Sequence, residues 1–322
     1  MLATAWSRDF GLRVPIANAP MGGVAGGRLA TAVTAAGGLG MIGMGSTATR
    51  ATLATELRRV SGRFGIGLVD WVMRSQDGLF EDALAAGPAL LSIGFGTDWS
   101  WVDQAHDAGI VATTQVYDAD GARRAADAGV DILVARGAEG GGHGEVRLGT
   151  LPLLDAVLDA VAVPVLAGGG IGSARSLAAV LAAGASGAWI GTRFAACPEA
   201  LTGDASRRAL IEAAGTDTRV TRVFDVAAGL PWPQRYPSRV VSNEFADRWT
   251  GREHELAGDA GARAELAAVS GRDITVDDLR VAPVDAGQGV GMIRDDAGVA
   301  DVIAAMCSGA RQLLEAWGPS SR

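Results

Sequence analysis

The sequence predicts a (β/α)8 barrel with a small helical appendage near the C-terminus. Short apolar runs bounded by glycine or polar residues alternate with alanine-rich helical stretches. Eight such runs fit into the first 200 residues or so, and the last two each precede a turn suited to binding phosphate, as is common after strands seven and eight of such barrels. A doubly wound open sheet would produce the same alternation and remains the alternative.

The apolar runs and the helical patterns set the order of elements. The predicted strands are residues 16–19, 39–44, 64–68, 89–93, 111–116, 132–135, 165–167 and 188–190. The predicted helices between them include residues 29–36, 53–60, 101–108, 119–128, 151–161 and 174–183.

Two glycine turns lie one βα unit apart near the end of the predicted barrel. Gly169 and Gly170 follow the seventh strand, and Gly191 and Thr192 follow the eighth. Glycine lets backbone N–H groups approach an anion without obstruction by a Cβ atom. The pair therefore predicts a phosphate site.

The chain divides into a barrel and an appendage. Residues 1–200 and 280–322 form the predicted barrel with its closing segment, which includes an amphipathic helix at 299–317 and a frayed tail at 318–322. Residues 201–279 are more charged and irregular, and they predict a helical appendage covering the barrel mouth. Its Trp232, Tyr236 and Trp249 either line a substrate pocket or pack between the two parts.

Composition and charge favour a small ligand. The 322 residues are 48% apolar, enough for a large core. A net charge of −8 argues against nucleic acid or an anionic membrane surface as partner. The uncharged stretches 29–49 and 176–192 contain turns and are expected in the core rather than in lipid.

The cysteines and the N-terminus indicate a cytoplasmic protein. Cys197 and Cys307 are far apart in sequence and form no CxxC motif. The first residues lack a basic segment followed by a long apolar one, so no secretory signal is expected.

The absence of lysine narrows the chemistry. All 28 basic residues are arginine, which excludes Schiff-base aldolases, pyridoxal phosphate enzymes and Walker-type phosphate loops. His106, His143 and His254 have no metal-binding spacing, so no metal is expected. A bound organic cofactor is the expected source of reactivity.

One histidine is the candidate catalytic residue. His143 lies in the glycine-rich segment ARGAEGGGHGE after the sixth strand, which places it at the catalytic mouth of a barrel, although a surface role is the alternative. His106 is expected on a barrel helix, and His254 on a solvated face.

Four motifs in order resemble the FMN-dependent nitronate monooxygenases, also called 2-nitropropane dioxygenases, which are TIM-barrel oxidoreductases. The motifs are PIANAPMGGVAGG, GAEGGGHG, the pair AGGGI and GTRF, and DAGQGVGMI. The resemblance covers nearly the whole chain. It implies His143 as the catalytic histidine and a bound FMN as the cofactor.

The resemblance also implies positions for the flavin contacts. The backbone of the first-strand loop would pack against the isoalloxazine ring, the two glycine turns would hold the phosphate, and the C-terminal motif would fold back to the flavin. The residues in these roles are Ala19, Pro20, Met21 and Gly22 for the ring; Gly169, Gly170, Gly191 and Thr192 for the phosphate; and Gln288 for the C-terminal contact.

Three positions depart from the family pattern. Gly67 stands where asparagine is common, so a side-chain amide contact to the flavin is lost or replaced. Gln115 stands where some members have lysine, and it brings no charge. Arg136 replaces glutamine or aspartate; it either adds a positive charge near the flavin or pairs with a carboxylate such as Glu139 or Glu145.

The activity implied is the oxidation of alkyl nitronates, or of nitroalkanes, by dioxygen to a carbonyl compound and nitrite. Two related activities use the same scaffold: flavin-dependent enoyl-acyl carrier protein reductases and NADH:quinone reductases. A non-catalytic flavin-binding or phosphate-sensing protein is the third hypothesis. The expected partners are a small-molecule substrate and dioxygen; the physiological substrate stays open, and so does the oligomeric state, with a homo-oligomer among the options.

Overall fold

The computed structural model describes residues 2–316. Residue 1 and residues 317–322, which include the end of the predicted closing helix and the predicted tail, lie outside the described residues. The strands are β1 (Ile16–Asn18), β2 (Gly40–Met44), β3 (Phe64–Val69), β4 (Leu90–Gly94), β5 (Val111–Val116), β6 (Ile132–Arg136), β7 (Gly142–His143), β8 (Val165–Gly168), β9 (Gly187–Ile190), β10 (Thr218–Thr221) and β11 (Ser238–Val241).

Helices connect the strands and form the outer layer. They are α1 (Ala5–Asp9), α2 (Gly27–Ala35), α3 (Arg50–Leu57), α4 (Asp70–Ser75), α5 (Leu79–Ala85), α6 (Trp101–Asp107), α7 (Ala119–Asp127), α8 (Thr150–Leu158), α9 (Ala174–Ala182), α10 (Thr192–Ala195), α11 (Asp204–Glu212), α12 (Val223–Ala228), α13 (Glu244–Trp249), α14 (Glu253–Gly258), α15 (Ala260–Val269) and α16 (Val299–Ala316). Short 3-10 helices span Gly215–Asp217, Asp277–Arg280 and Gln288–Met292.

Eight parallel strands form the barrel. Their order is β1-β9-β8-β6-β5-β4-β3-β2, and a parallel bridge between Ala17 and Leu39 joins the two ends. Asn18 strengthens this seam: its buried amide donates to the Met41 carbonyl at 2.9 Å and accepts from the Met41 N–H at 2.7 Å. The predicted (β/α)8 barrel is confirmed, and the open sheet is excluded.

The amino end of the barrel is closed by α1. Trp6 and Phe10 join the cluster of side chains that fills the barrel, which includes Met41, Leu166 and Trp189. Trp6 lies against Gly187, the first residue of β9. The carboxyl end of the barrel is therefore the end available to a ligand.

The sequence located the strands well. Each of the eight predicted strands overlaps an observed one, with ends that differ by one residue at most. Alternation of apolar runs and turns is a strong signal where strands are buried on both faces. The six named helices are also present, with ends shifted by up to three residues.

The appendage is largely helical, and it also contains two short strands. Residues 201–279 contain helices, but also β10 and β11, which pair antiparallel with each other. β11 pairs in turn with β7 from the barrel's glycine loop. These strands, TRVT and SRVV, are only four residues long, too short for a periodic pattern to stand out in the sequence. The appendage is thus joined to the barrel loop that carries His143.

The last described helix packs back on the barrel. α16 lies against α9 and α2, and it buries Val302, Ile303 and Met306. Within residues 2–316, no helix combines the length and the apolar character needed to cross a membrane.

Candidate functional site

A cavity opens at the carboxyl end of the barrel and gathers nearly all of the predicted site residues. Its lining includes Ala19, Pro20, Met21, Gly22, Gly67, Gln115, Arg136, His143, Gly169, Gly170, Gly191 and Thr192. These residues come from six different strand ends, and the fold brings them together as the barrel requires. The predicted residue that the lining lacks is Gln288.

The first-strand loop lies directly on the neighbouring strands. A Cβ atom on Gly22 would be 2.3 Å from the Gly45 backbone, so the two glycines are in contact. A Cβ atom on Gly67 would be equally close to the Pro20 ring. Pro20 therefore occupies the space that a side chain at position 67 would need, which explains why asparagine is absent here.

The two glycine turns form one wall of the cavity. Gly169 and Gly170 have φ angles of +107° and +67°, a region that favours glycine. Among the described residues, the N–H groups of Gly169, Gly170 and Thr192 donate to no backbone acceptor. The Thr192 hydroxyl accepts from the Gly287 N–H at 3.0 Å, which leaves its own proton free to donate. Donors that converge on a cavity suit a phosphate.

Arg136 faces the cavity and is buried. Its Nη2 donates to the carbonyl groups of Gly141 and Gly142, at 2.9 and 3.1 Å. Burial lowers the pKa of the guanidinium from its usual value. No carboxylate within residues 2–316 forms an ion pair with it, so the expected alternative, pairing with Glu139 or Glu145, does not occur.

The two candidate carboxylates have other partners. Glu139 accepts from the N–H and hydroxyl of Thr150 at the start of α8. Glu145 lies 3.7 Å from Arg147 and 4.0 Å from Arg235. The Arg136 guanidinium is therefore a positive charge at the cavity whose hydrogen bonds are made to backbone carbonyls of the histidine loop.

His143 is held on two sides by the appendage. Both carboxylate oxygens of Asp225, a buried residue of α12, lie 3.0 Å from its Nε2. The Trp232 ring stacks on the imidazole with centroids 3.6 Å apart and planes 7° apart. A carboxylate can only accept, so it fixes the proton on Nε2 and leaves the Nδ1 lone pair available.

A second carboxylate lies at the same mouth. Asp285 faces the cavity, and its Oδ1 accepts from the Ser238 hydroxyl at 2.8 Å. The Asp285 side chain is accessible from the cavity, and the protein packed around it raises the pKa of its carboxyl, while the nearby His143 opposes the shift. No local pattern marks Asp225, because it reaches His143 only through the folded appendage, whereas Asp285 is the first residue of the C-terminal motif DAGQGVGMI but was not singled out within it.

An aromatic cluster covers one side of the cavity. The Phe95 ring makes edge contacts with Trp232 and Tyr236, and Trp232 donates from Nε1 to Ser46 at 2.9 Å. Phe95 has a φ of 70°, which is uncommon for a residue with a side chain. Trp232 thus lines the cavity, whereas Trp249 packs in the appendage core.

Gln288 does not have the expected position. Its N–H donates to the Glu139 carbonyl at 2.8 Å, and its side chain is exposed outside the cavity lining. The C-terminal segment does fold over the mouth, but Asp285 and Gly289 are the residues that reach the cavity. The 3-10 turn that begins at Gln288 rotates its side chain outward.

The other two histidines lie elsewhere. His106 on α6 is bonded to Asp131 at 2.9 Å, and His254 is largely exposed on α14. Within the described range 2–316, no group of three or more histidine, cysteine or acidic residues is arranged to hold a metal ion.

Comparison with known proteins identifies relatives of this chain. A family model described as nitronate monooxygenase matches residues 76–309. The chain is 34% identical over 254 residues to (3aS,4S,5R,7aS)-5-hydroxy-7a-methyl-1-oxo-octahydro-1H-indene-4-carboxyl-CoA dehydrogenase of Mycobacterium tuberculosis, covering 77% of this chain and 68% of that protein.

Two solved structures resemble the whole fold. FabK from Thermotoga maritima superposes with a TM-score of 0.83 at 26% identity, covering 98% of both chains. A nitroalkane oxidase from Streptomyces ansochromogenes superposes with a TM-score of 0.78 at 27% identity, covering 96% of this chain and 99% of that one.

Proposed function

Because this chain belongs to the nitronate monooxygenase family, we propose that it is an FMN-dependent oxidoreductase that converts alkyl nitronates and dioxygen to a carbonyl compound and nitrite. The observation that carries the proposal is the position of His143. It lines the same cavity as the two glycine turns, with Nε2 bonded to a buried carboxylate. A base and a cofactor site are thus combined at one barrel mouth.

The cavity fits FMN. The phosphate would be held by the turn at Gly169 and Gly170 and by the turn at Gly191 and Thr192. The N–H groups of Gly169, Gly170 and Thr192 have no backbone acceptor within residues 2–316. The ring would lie against the first-strand loop at Met21, where Pro20 packs on Gly67 and Gly22 packs on Gly45. Both groups of residues line one continuous cavity.

The protein groups at the mouth would control the proton and the charge of the substrate. When bound, FMN would supply the redox-active ring that takes electrons from the substrate and passes them to dioxygen. Nδ1 of His143 would abstract the α-proton of a neutral nitroalkane, or the imidazole would hydrogen-bond the nitro oxygens of a bound nitronate. The buried Arg136 charge favours an anionic substrate at this mouth.

A reductase is the second candidate. The dehydrogenase relative acts, by its name, on a carboxyl-CoA compound, and FabK matches the fold over 98% of both chains. An NAD(P)H-dependent flavin reductase, such as an enoyl-acyl carrier protein reductase or an NADH:quinone reductase, would use the same cavity with a different electron donor.

Turnover assays separate the two candidates. We expect oxygen consumption and nitrite release when the FMN-loaded protein receives an alkyl nitronate, and no oxidation of NADH or NADPH. Oxidation of either nucleotide without nitrite release from the nitronate would favour the reductase.

A further inference from the structure

A second cavity of about 200 Å³ adjoins the first. Gln115 lines both cavities. On the other side of the boundary, Phe95 lines the first cavity and Gly96, the next residue, lines the second. The two cavities are therefore neighbours at the barrel mouth, with Gln115 in the lining of each.

A buried hydroxyl in this second cavity has no partner. The Tyr117 side chain is 7% exposed, and its hydroxyl forms no hydrogen bond with any described residue. Burial raises the pKa of Tyr117, so the hydroxyl keeps its proton and acts as a donor. Buried polar groups are almost always hydrogen-bonded, so an acceptor on a bound ligand would satisfy this donor.

Three arginines line the same cavity as the Tyr117 hydroxyl. Arg147 is paired with Asp118 and lies 3.7 Å from Glu145. Arg235 is 4.0 Å from Glu145 and lies over the Tyr236 ring at 4.7 Å.

Arg124 is the third arginine, and no carboxylate in residues 2–316 forms an ion pair with it. The lining thus holds three guanidinium groups and two carboxylates, Asp118 and Glu145, which leaves an excess of positive charge in a protein whose net charge is −8.

We propose that the second cavity binds an oxyanion, a carboxylate or a phosphate, on the far end of the substrate whose reacting end lies at His143. Tyr117 would donate its free hydroxyl proton to this group, and Arg124 would supply the uncompensated charge. The inference rests on the proposed function only for the position of the substrate's reacting end, at His143. It makes the substrate an elongated molecule with a terminal oxyanion.

Calorimetric titration of the FMN-saturated protein tests the proposed oxyanion site without relying on turnover. The probes are pentyl phosphate, hexanoate and 1-pentanol, which share an apolar chain and differ in the terminal group. We expect at least one anionic probe to bind about tenfold or more tightly than pentanol, since hydrogen bonds to a charged group are stronger than those to a neutral hydroxyl. The stronger of the two anions would identify the oxyanion.

Three variants test whether the anion binds in the second cavity. Tyr117→Phe and Arg124→Gln should each weaken the preferred anion about tenfold and leave pentanol binding unchanged. Arg311→Gln, an exposed arginine on α16, is the matched control and should change neither.

Equal affinity for all three probes, or anion binding that Tyr117→Phe and Arg124→Gln leave intact, would overturn the proposal. A failure of nitronate turnover with anion binding intact would instead count against the proposed reaction alone.

Discussion

Both carboxylate oxygens of Asp225 lie 3.0 Å from Nε2 of His143, although the two residues are 82 positions apart in the chain. The contact joins the appendage to the barrel mouth. It assigns the Nε2 proton to the side facing Asp225 and makes Nδ1 the basic atom.

His143→Asn should keep FMN and lose the base. Turnover of neutral nitroalkanes should fall by at least about 100-fold, the usual contribution of a general base, while turnover of preformed nitronates should fall much less. Steady-state kinetics with both substrate forms measure this. His106→Asn is the control outside the site, and unchanged nitroalkane turnover in His143→Asn would remove the base assignment.

Asp225→Asn should slow turnover of neutral nitroalkanes by at least about tenfold, because an amide no longer fixes the imidazole tautomer. The limb of the kcat/KM pH profile that reports the catalytic base should also shift. Asp131→Asn is a matched control, since Asp131 holds His106 in a similar pair away from the site. Identical profiles for wild type and Asp225→Asn would show that the contact does not affect the base.

Gly191→Val should weaken FMN binding at least about tenfold, because the new side chain enters the proposed phosphate turn. The fold leaves room for the first atom of that side chain, since an added Cβ comes no closer than 3.4 Å to Met21. Flavin fluorescence titration measures the affinity. Gly203→Ala, where an added Cβ meets nothing within 4 Å, should leave it unchanged. Full-affinity binding in Gly191→Val would argue against a phosphate at this turn.

Asp285→Asn should stabilise the protein at alkaline pH more than at acidic pH. The pKa of Asp285 is raised in the folded chain, so its protonated form adds stability that is lost as the pH rises through the folded pKa. The Tm difference from wild type should therefore be larger near about pH 8 than near about pH 4. Asp296→Asn, outside the cavity lining, is the control. A difference that grows toward acid pH would contradict the expected direction.

Asn18→Ala should lower the free energy of unfolding by about 2–3 kcal/mol, because it leaves the Met41 N–H and carbonyl without partners at the barrel seam. Denaturant titration measures the loss. A change below about 0.5 kcal/mol, typical of a surface substitution, would mean that the seam does not depend on this side chain.

The sequence predicted the parts of the fold that depend on local pattern. Buried strands and glycine turns carry their own signal, so the pattern predicts the barrel strands, the turns at Gly169 and Gly191, and His143 at the mouth. The other cavity positions, such as Ala19, Gly67 and Gln115, were implied only by the family resemblance. Long-range pairing leaves no such signal. β11 joins the short β7, which no local pattern marked as a strand, and Asp225 reaches His143 from a helix of the appendage.

The anaerobic visible spectrum of the purified protein, mixed separately with an alkyl nitronate and with NADH, tests the central claim most directly. We predict a flavin spectrum that is bleached by the nitronate and not by NADH. Bleaching by NADH alone would contradict nitronate oxidation, and a colourless protein that FMN cannot reconstitute would contradict the flavin site itself.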